Sequence, residues 1–361
     1  MVNLDDLPIR ADLRGKVPYG APQLHVPIEL NVNENTHGVP DHVIDDIVVR
    51  VRDSLATVHR YPDREFTALR EACAAYLGHG LTADHMWAAN GSNEVLQHLL
   101  QAFGGPGRTA LSFEPSYSMY PLLAAGTGTA WVSVPRGSEF EVSAEAAVTA
   151  VREHDPDVVF LCSPNNPTGT PLGLEVIRAV AESARGIVIV DEAYAEFAPE
   201  GSPSALELLD AFPRLVVSRT MSKAFAFAGA RLGYLAAHPA VCDALRLVRL
   251  PYHLSALTQS AALAAFAHAP EMLAMVGEIR LQRDRLVREL ARQGYHPYPS
   301  ASNFVLFGNV SDPGATFRGL LEHGIIIRDV GIPHALRVTA GTEPETSAFL
   351  DALAEVGQPL T

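Results

Sequence analysis

A chain of 361 residues that is 48% hydrophobic can bury a large core, and its size suits two domains or one large and one small. Its formal net charge of −14 supplies none of the basic field that a nucleic acid or an anionic membrane surface requires, so neither is an expected partner. Three cysteines, Cys73, Cys162 and Cys242, lie far apart without C-x-x-C spacing and read as reduced, mostly buried small hydrophobes, which suits a cytoplasmic protein. The acidic N-terminus is not followed by an apolar leader, and no run reaches membrane-spanning length.

Residues 1 to about 40 are rich in proline, with Pro8, Pro18, Pro22, Pro27 and Pro40, and read as an extended arm. Within it lie Tyr19 and the cluster Asn33-Glu34-Asn35. Such an arm lies across a neighbour, caps a site, or is a solvated linker, and composition alone does not choose. A helix is expected from Asp41, with Val43, Ile44, Ile47, Val48, Val51 and Leu55 at helical spacing, ending before His59-Arg60-Tyr61-Pro62-Asp63. A second runs from Glu65 through Leu69, Cys73, Tyr76 and Leu77 to Gly78.

Met86-Trp87-Ala88-Ala89 reads as a strand that passes through Asn90-Gly91-Ser92-Asn93-Glu94 into a helix. Glycine permits the tight turn, and the unpaired N–H groups of the new helix make a seat for a phosphate. Alone, the same residues would be an ordinary connection with Ser92 as N-cap.

From Thr109 to the 230s, apolar runs alternate with helical patterns. The runs are Thr109–Phe113, Val158–Cys162, Ile187–Val190, Leu215–Val217 and Leu232–Leu235. Continuous apolarity means strands covered on both faces, so the expected fold is α/β with a mostly parallel sheet sandwiched by helices. Ligands of such sheets bind beyond the carboxyl ends of the strands. Those ends carry Tyr117, the run Pro164-Asn165-Asn166-Pro167-Thr168-Gly169, the set Asp191-Glu192-Ala193-Tyr194, and the stretch Ser218 to Tyr234.

That last stretch holds Lys223 among small and apolar residues, with Thr220 and Ser222 before it and Arg231 after it. Dehydration lowers a lysine's pKa and frees the neutral amine a Schiff-base nucleophile needs. The two hydroxyls and the guanidinium suit a phosphate beside it. A lone Ser-Lys pair is more often a helix-end lysine reaching solvent; the chemistry at the other strand ends raises the functional reading. Beyond Leu250-Pro251-Tyr252-His253 a long helical region is expected to about Arg292, with Arg280, Arg283 and Arg285 on its solvated side. Strand-like Phe304–Phe307, Gly324–Ile327 and Leu336–Val338 read as a small α+β domain. No His/Cys spacing supports a metal site, and neither a G-x-S-x-G elbow nor a Walker loop is present.

Taken together, Asn90-Gly91-Ser92-Asn93-Glu94, the Pro164–Gly169 run, Asp191-Glu192-Ala193-Tyr194, Ser222-Lys223 with Arg231, and Leu336-Arg337-Val338-Thr339 resemble the fold-type I pyridoxal-phosphate aminotransferases over nearly the whole chain. Arg60-Tyr61-Pro62-Asp63, Ser302-Asn303-Phe304, Gly324-Ile325-Ile326-Ile327-Arg328 and Arg249–Ser255 look like the histidinol-phosphate aminotransferases within them. Thr36 and Ser302 depart from that family's usual proline and alanine.

The resemblance implies pyridoxal 5′-phosphate as cofactor, bound as a Schiff base on Lys223, with Asp191 on the pyridine nitrogen and Tyr194 and Asn166 on the phenolic oxygen. It implies Tyr117 on the ring face, and Ser92, Asn93, Thr220, Ser222, Arg231 and a second subunit's Tyr61 at the phosphate. Tyr19, Asn33, Tyr61, Asn303, Arg328 and Arg337 are the implied substrate-binding residues, Arg337 and Arg328 gripping the anionic group. The implied reaction transfers the amino group of histidinol phosphate to 2-oxoglutarate, giving glutamate, in a cytoplasmic homodimer with shared sites. The implied division is an arm over 1–40, a large cofactor-binding domain over 41–260 and a small domain over 261–361 that the arm joins. The alternatives are an aromatic amino-acid aminotransferase, a lyase that decarboxylates a phosphorylated threonine, and a catalytically silent binding module.

Overall fold

The computed structural model describes residues 2–15, 20 and 23–360. The arm begins with two short 3-10 turns, Leu4–Asp6 and Ala11–Leu13, and a two-residue strand, β1 (Ile28–Glu29). Between the turns, Arg10 donates to the carbonyls of Ala125 and Gly126, each at 2.9 Å; these belong to the last turn of a helix, where a cation and unpaired carbonyls suit each other. Helix α1 (Asp41–Leu55) starts after Pro40, and α2 (Thr67–Leu77) stops at Gly78, whose φ is +71°. The second helix begins two residues later than expected because Asp63 accepts from the backbone N–H groups of Glu65 and Thr67 and holds them in a turn.

Seven strands then alternate with helices: β2 (Met86–Ala89), α3 (Ser92–Phe103), β3 (Thr109–Glu114), α4 (Met119–Thr127), β4 (Ala130–Pro135), α5 (Ala144–His154), β5 (Val158–Cys162), α6 (Leu174–Ser183), β6 (Ile187–Asp191), β7 (Leu215–Thr220) and β8 (Gly233–Ala237). They form one sheet of order β2-β8-β7-β6-β5-β3-β4. Only β8 runs antiparallel to its neighbours. The four central strands β5 to β8 are buried at every residue, as runs covered by helices on both faces must be. Strand β4 is absent from the sequence expectation because it is an edge strand with no buried residue, so it lacks a continuous apolar run.

Three helices, α7 (Pro239–Val248), α8 (Ala256–Ala267) and α9 (Ala269–Arg292), follow. The expected single long helical region breaks at His268: Pro270 stands in the first turn of α9 and has no N–H to continue the helix. The expected solvated side of α9 is also corrected. Arg283 is buried and donates to the carbonyls of Phe197 at 2.8 Å and Ser302 at 3.3 Å, and Arg280 donates to Glu196 O at 2.7 Å. Carbonyls at chain turns, not water, satisfy these guanidinium groups. Arg285 reaches Ser347 Oγ at 2.8 Å and the Glu343 carboxylate.

The chain closes with β9 (His296–Pro297), β10 (Phe304–Gly308), α10 (Pro313–Glu322), β11 (Ile325–Ile326), β12 (Leu336–Thr339) and α11 (Glu343–Val356). Strands β12-β10-β9 form a small antiparallel sheet, and β11 pairs in parallel with β1. Pairing of β1 with β11 joins the arm to the C-terminal part of the fold. All three cysteines are free and buried. Among the described residues no helix is long and apolar enough to cross a membrane.

Candidate active site

The carboxyl ends of the central strands open into a cavity of about 1060 Å³. Asp191, the last residue of β6, lies at its floor and is only 3% exposed. Its Oδ2 accepts from Tyr120 Oη at 2.8 Å, whereas Oδ1 is buried with no hydrogen-bond partner. Burial pushes the carboxyl up to about 6, and the Tyr120 hydrogen bond pulls against that rise. A buried carboxylate oxygen without a donor is expensive, so this atom is set for a donor from outside the chain.

Lys223 follows β7 and opens onto the same cavity. Burial, then the neighbouring charge of Arg337, lowers its amine to about 8, with Glu34 pulling the other way. Nζ donates to the Val32 carbonyl at 3.0 Å. Asn35 donates to the carbonyls of Lys223 and Ala224, each at 3.2 Å, so residues of the arm hold both ends of the lysine. The sequence singles out the Asn33-Glu34-Asn35 cluster but gives no way to see this contact.

Tyr194 Oη accepts from Asn33 Nδ2 at 3.0 Å and Asn166 Nδ2 at 3.4 Å. Burial is the main reason its phenol is pushed upward. Asn33 is buried with φ +58°, a left-handed conformation that asparagine tolerates better than most residues. Arg337 is 7% exposed and donates to Asn166 Oδ1 at 2.5 Å and to Asn31 O at 2.7 Å. Its guanidinium lies 5.1 Å from the centroid of the Phe304 ring. Arg328 lines the cavity too, and its backbone exchanges hydrogen bonds with Arg337 at 3.0 and 2.9 Å.

A second polar end forms around Gly91, the N-cap of α3, with φ +85°. Ser92 and Asn93 begin that helix, so their N–H groups lack intrahelical partners. Thr220, Ser222 and Arg231 face them across the cavity. Ser222 Oγ accepts from Thr220 Oγ1 at 3.1 Å and from Arg231 at 3.4 Å. A Cβ on Gly91 would meet the Arg231 guanidinium, and one on Gly233 would meet the backbone of Ser92; both glycines are there because backbone and cation approach this closely. Asn90 secures the turn by donating to Glu94 at 2.7 Å and to His253 O at 2.8 Å. Tyr117 leans over the cavity with its hydroxyl 3.2 Å from Asn93 Oδ1.

Two of the residues implied at the sequence level do not line this cavity. Asn303 is fully buried and donates to the carbonyls of Asn33 and Glu34 at 3.1 and 3.4 Å; it holds the arm's backbone instead of facing the cavity. Tyr61 is 80% exposed, stacks on Tyr252 with centroids 4.4 Å apart and does not line its own chain's cavity; the resemblance implied it at the phosphate as a second subunit's residue. Tyr19 lies outside the described residues. Conversely Tyr120, which holds Asp191, goes unnoticed in the sequence because nothing in a run of helix residues tells which tyrosine meets a strand end.

The donor set fits pyridoxal 5′-phosphate. Asp191 Oδ1 lacks a partner where a protonated ring nitrogen would supply one, an amine of lowered pKa stands in the same cavity, and a helix N-terminus with two hydroxyls and an arginine suits a phosphate.

Residues 26–353 match the family model for aminotransferases of class I and II. The chain is 62% identical to a histidinol-phosphate aminotransferase of Paenarthrobacter aurescens, over 97% of this chain and 95% of the relative. It is 58% identical to a protein of that name from Thermobifida fusca, over 97% and 96%. Among solved structures, a histidinol-phosphate aminotransferase from Sinorhizobium meliloti in complex with pyridoxal-5′-phosphate shares 25% identity over 97% of each chain, with a TM-score of 0.85. Sequence, fold and cavity chemistry therefore agree: the chain belongs to the class I and II aminotransferases, whose cofactor is pyridoxal 5′-phosphate, and among them to the histidinol-phosphate aminotransferases.

Proposed function

We propose that this enzyme moves the amino group of L-histidinol phosphate to 2-oxoglutarate, giving imidazole-acetol phosphate and L-glutamate, and that it acts in the cytoplasm as a homodimer. The observation that carries the reading is the set of charges gathered in one cavity: the Lys223 amine and the Asp191 carboxylate, Arg231 with the hydroxyls of Thr220 and Ser222, and the pair Arg328 and Arg337. The end formed by α3, Thr220, Ser222 and Arg231 would hold the cofactor phosphate. That leaves Arg337 and Arg328 for an anionic group of the substrate, and a guanidinium accepts a phosphate or a carboxylate with the same fork. The phosphate of histidinol phosphate and a carboxylate of glutamate can thus take turns there.

Pyridoxal phosphate, when bound, supplies a protonated aromatic ring that takes up the electron pair left as the substrate's Cα–H bond breaks. Asp191 would hold the ring nitrogen through Oδ1 and keep it protonated, Tyr194 and Asn166 would hold the phenolic oxygen, and Tyr117 would cover one ring face. Lys223 moves the proton at Cα. Its neutral Nζ accepts that proton, and an amine lowered to about 8 keeps a usable neutral fraction near neutral pH, where an ordinary lysine has almost none. The arm encloses the lysine and limits water there.

We place the division between the large and small domains at His268, not between 260 and 261, because α8 spans that point and is tied to α1 by the Ser54–Ser260 hydroxyl contact. The reaction is tested by comparing kcat/KM for histidinol phosphate and phenylalanine with 2-oxoglutarate as acceptor. Histidinol phosphate is expected to win by at least about tenfold, since its doubly charged phosphate makes stronger charge-assisted hydrogen bonds to the Arg337 and Arg328 guanidinium groups than a single carboxylate does. A preference for phenylalanine, or release of carbon dioxide from threonine phosphate without any oxo acid, overturns the reading.

A further inference from the structure

Away from the active site, the starts of α1 and α9 bring together His42, His268 and Glu271. Each offers one ligand atom, and the three atoms all lie within 4.8 Å of one another. The two imidazoles meet edge to face, with centroids 5.7 Å apart and planes at 78°. Glu271 Oε1 lies 3.7 Å from His268 Nδ1. On the far side of the same ring, His268 Nε2 lies 3.3 Å from Asp46 Oδ2. Arg50 Nε donates to that carboxylate at 3.0 Å and fixes it.

This arrangement assigns the two nitrogens of His268 different tasks. With Nε2 beside the Asp46 carboxylate, the tautomer protonated at Nε2 leaves the lone pair on Nδ1, which faces Glu271. A metal-bound imidazole is ordinarily oriented by a carboxylate on its other nitrogen. From these facts we infer that His42, His268 and Glu271 form a binding site for a borderline divalent transition metal such as Zn²⁺, with Asp46 as the orienting carboxylate. Two imidazoles and one carboxylate select such ions over Mg²⁺ or Ca²⁺, which prefer oxygen alone.

The donors of a tetrahedral zinc stand about 3.3 Å apart, so separations of up to 4.8 Å must shrink by up to about 1.5 Å. His42 and Glu271 are exposed and free to turn inward. Helix N-termini carry partial positive charge, which the carboxylates of Glu271 and Asp46 offset. The site lies opposite most of the exposed apolar residues of α1. At 3.6 residues per turn, His42 and Asp46 share one flank while the exposed Ile44, Val48 and Leu55 lie on the other; of the exposed apolar residues of α1 only Val49, about two turns further on, shares the flank of His42. A bound ion would tie the first helix after the arm to the helix that leads into the small sheet, and would stabilise the fold without entering the reaction.

The test is calorimetric titration of the metal-stripped holoenzyme with Zn²⁺. One site per chain is expected, lost in His42→Ala and in Glu271→Gln, and weakened by about 10- to 100-fold in Asp46→Asn. Mg²⁺ should not occupy it. Zn²⁺ should raise the melting temperature of the unsubstituted enzyme but not of His42→Ala, and metal-free aminotransferase activity should be the same in all variants, which shows that they fold. Absence of a site in the unsubstituted enzyme, or zinc binding that survives both His42→Ala and Glu271→Gln, overturns the inference.

Discussion

At the scale of single residues, the site rests on two charges held away from their ordinary pKa values by the same cause. Asp191 is raised to about 6 and Lys223 lowered to about 8, both first by burial. Each shift weakens the folded cofactor-free protein. For Lys223 the folded value lies below the usual 10.5, so the unfolded chain binds more protons between pH 8 and 10.5. Stability therefore rises across that window, and the full penalty, roughly 3 kcal/mol, is present below pH 8. The chain makes this amine easy to observe, because Lys16 is its only other lysine. In cofactor-free protein, amine acylation of Lys223 followed by peptide mass spectrometry should reach half its maximal rate near pH 8. Half-maximal labelling near pH 10.5 would show that burial does not act on this amine as described. Tyr120 and Val32 complete the pair's surroundings, Tyr120 donating to the carboxylate and the Val32 carbonyl accepting from the amine.

At the scale of elements, the phosphate end depends on how tightly β2, the turn and α3 pack against β8. Gly91 combines a positive φ with the nearby Arg231 guanidinium, so Gly91→Ala adds backbone strain of about 1–2 kcal/mol and displaces the cation. Gly201 has φ +77° with open space around its Cβ position, and Gly201→Ala therefore carries the strain alone. Equilibrium dialysis should show cofactor affinity at least about tenfold weaker in Gly91→Ala and unchanged in Gly201→Ala, with similar losses of melting temperature. Equal affinities in the two variants would remove the turn from the phosphate site. Elements of this kind were legible because strand, glycine and helix leave a contiguous signature, and the buried strands β5 to β7 leave unbroken apolar runs. The break at His268 was legible in Pro270 and was missed; edge strand β4 and the burial of Arg283 were not legible. Each of these two is decided by what distant chain segments place beside it: an open sheet edge, and the carbonyls of Phe197 and Ser302. Asn303 went astray for the same reason, since its neighbours are the backbone carbonyls of the arm.

At the scale of the whole molecule, one chain gathers the residues implied at the cofactor apart from Tyr61, which the resemblance assigned to a second subunit. Tyr61 is 80% exposed, yet it is held flat against Tyr252 at 4.4 Å with planes 15° apart. Val58 precedes Tyr61 and Leu250 precedes Tyr252 in the chain, both with exposed apolar side chains of the kind an interface with a second copy would use. If Tyr61 serves the partner's site, two damaged chains can repair each other. Lys223→Ala and Tyr61→Ala homodimers should each be nearly inactive, one lacking the amine and the other lacking the tyrosine in both sites. A mixed dimer has one site built from the intact lysine of one chain and the intact tyrosine of the other. Random exchange makes half of the dimers mixed, each with one working site of two, so an equal mixture should recover about a quarter of the unsubstituted activity. A tyrosine that acted only within its own chain would leave no site in the mixed dimer with both groups, and the mixture would then show no more activity than its parts.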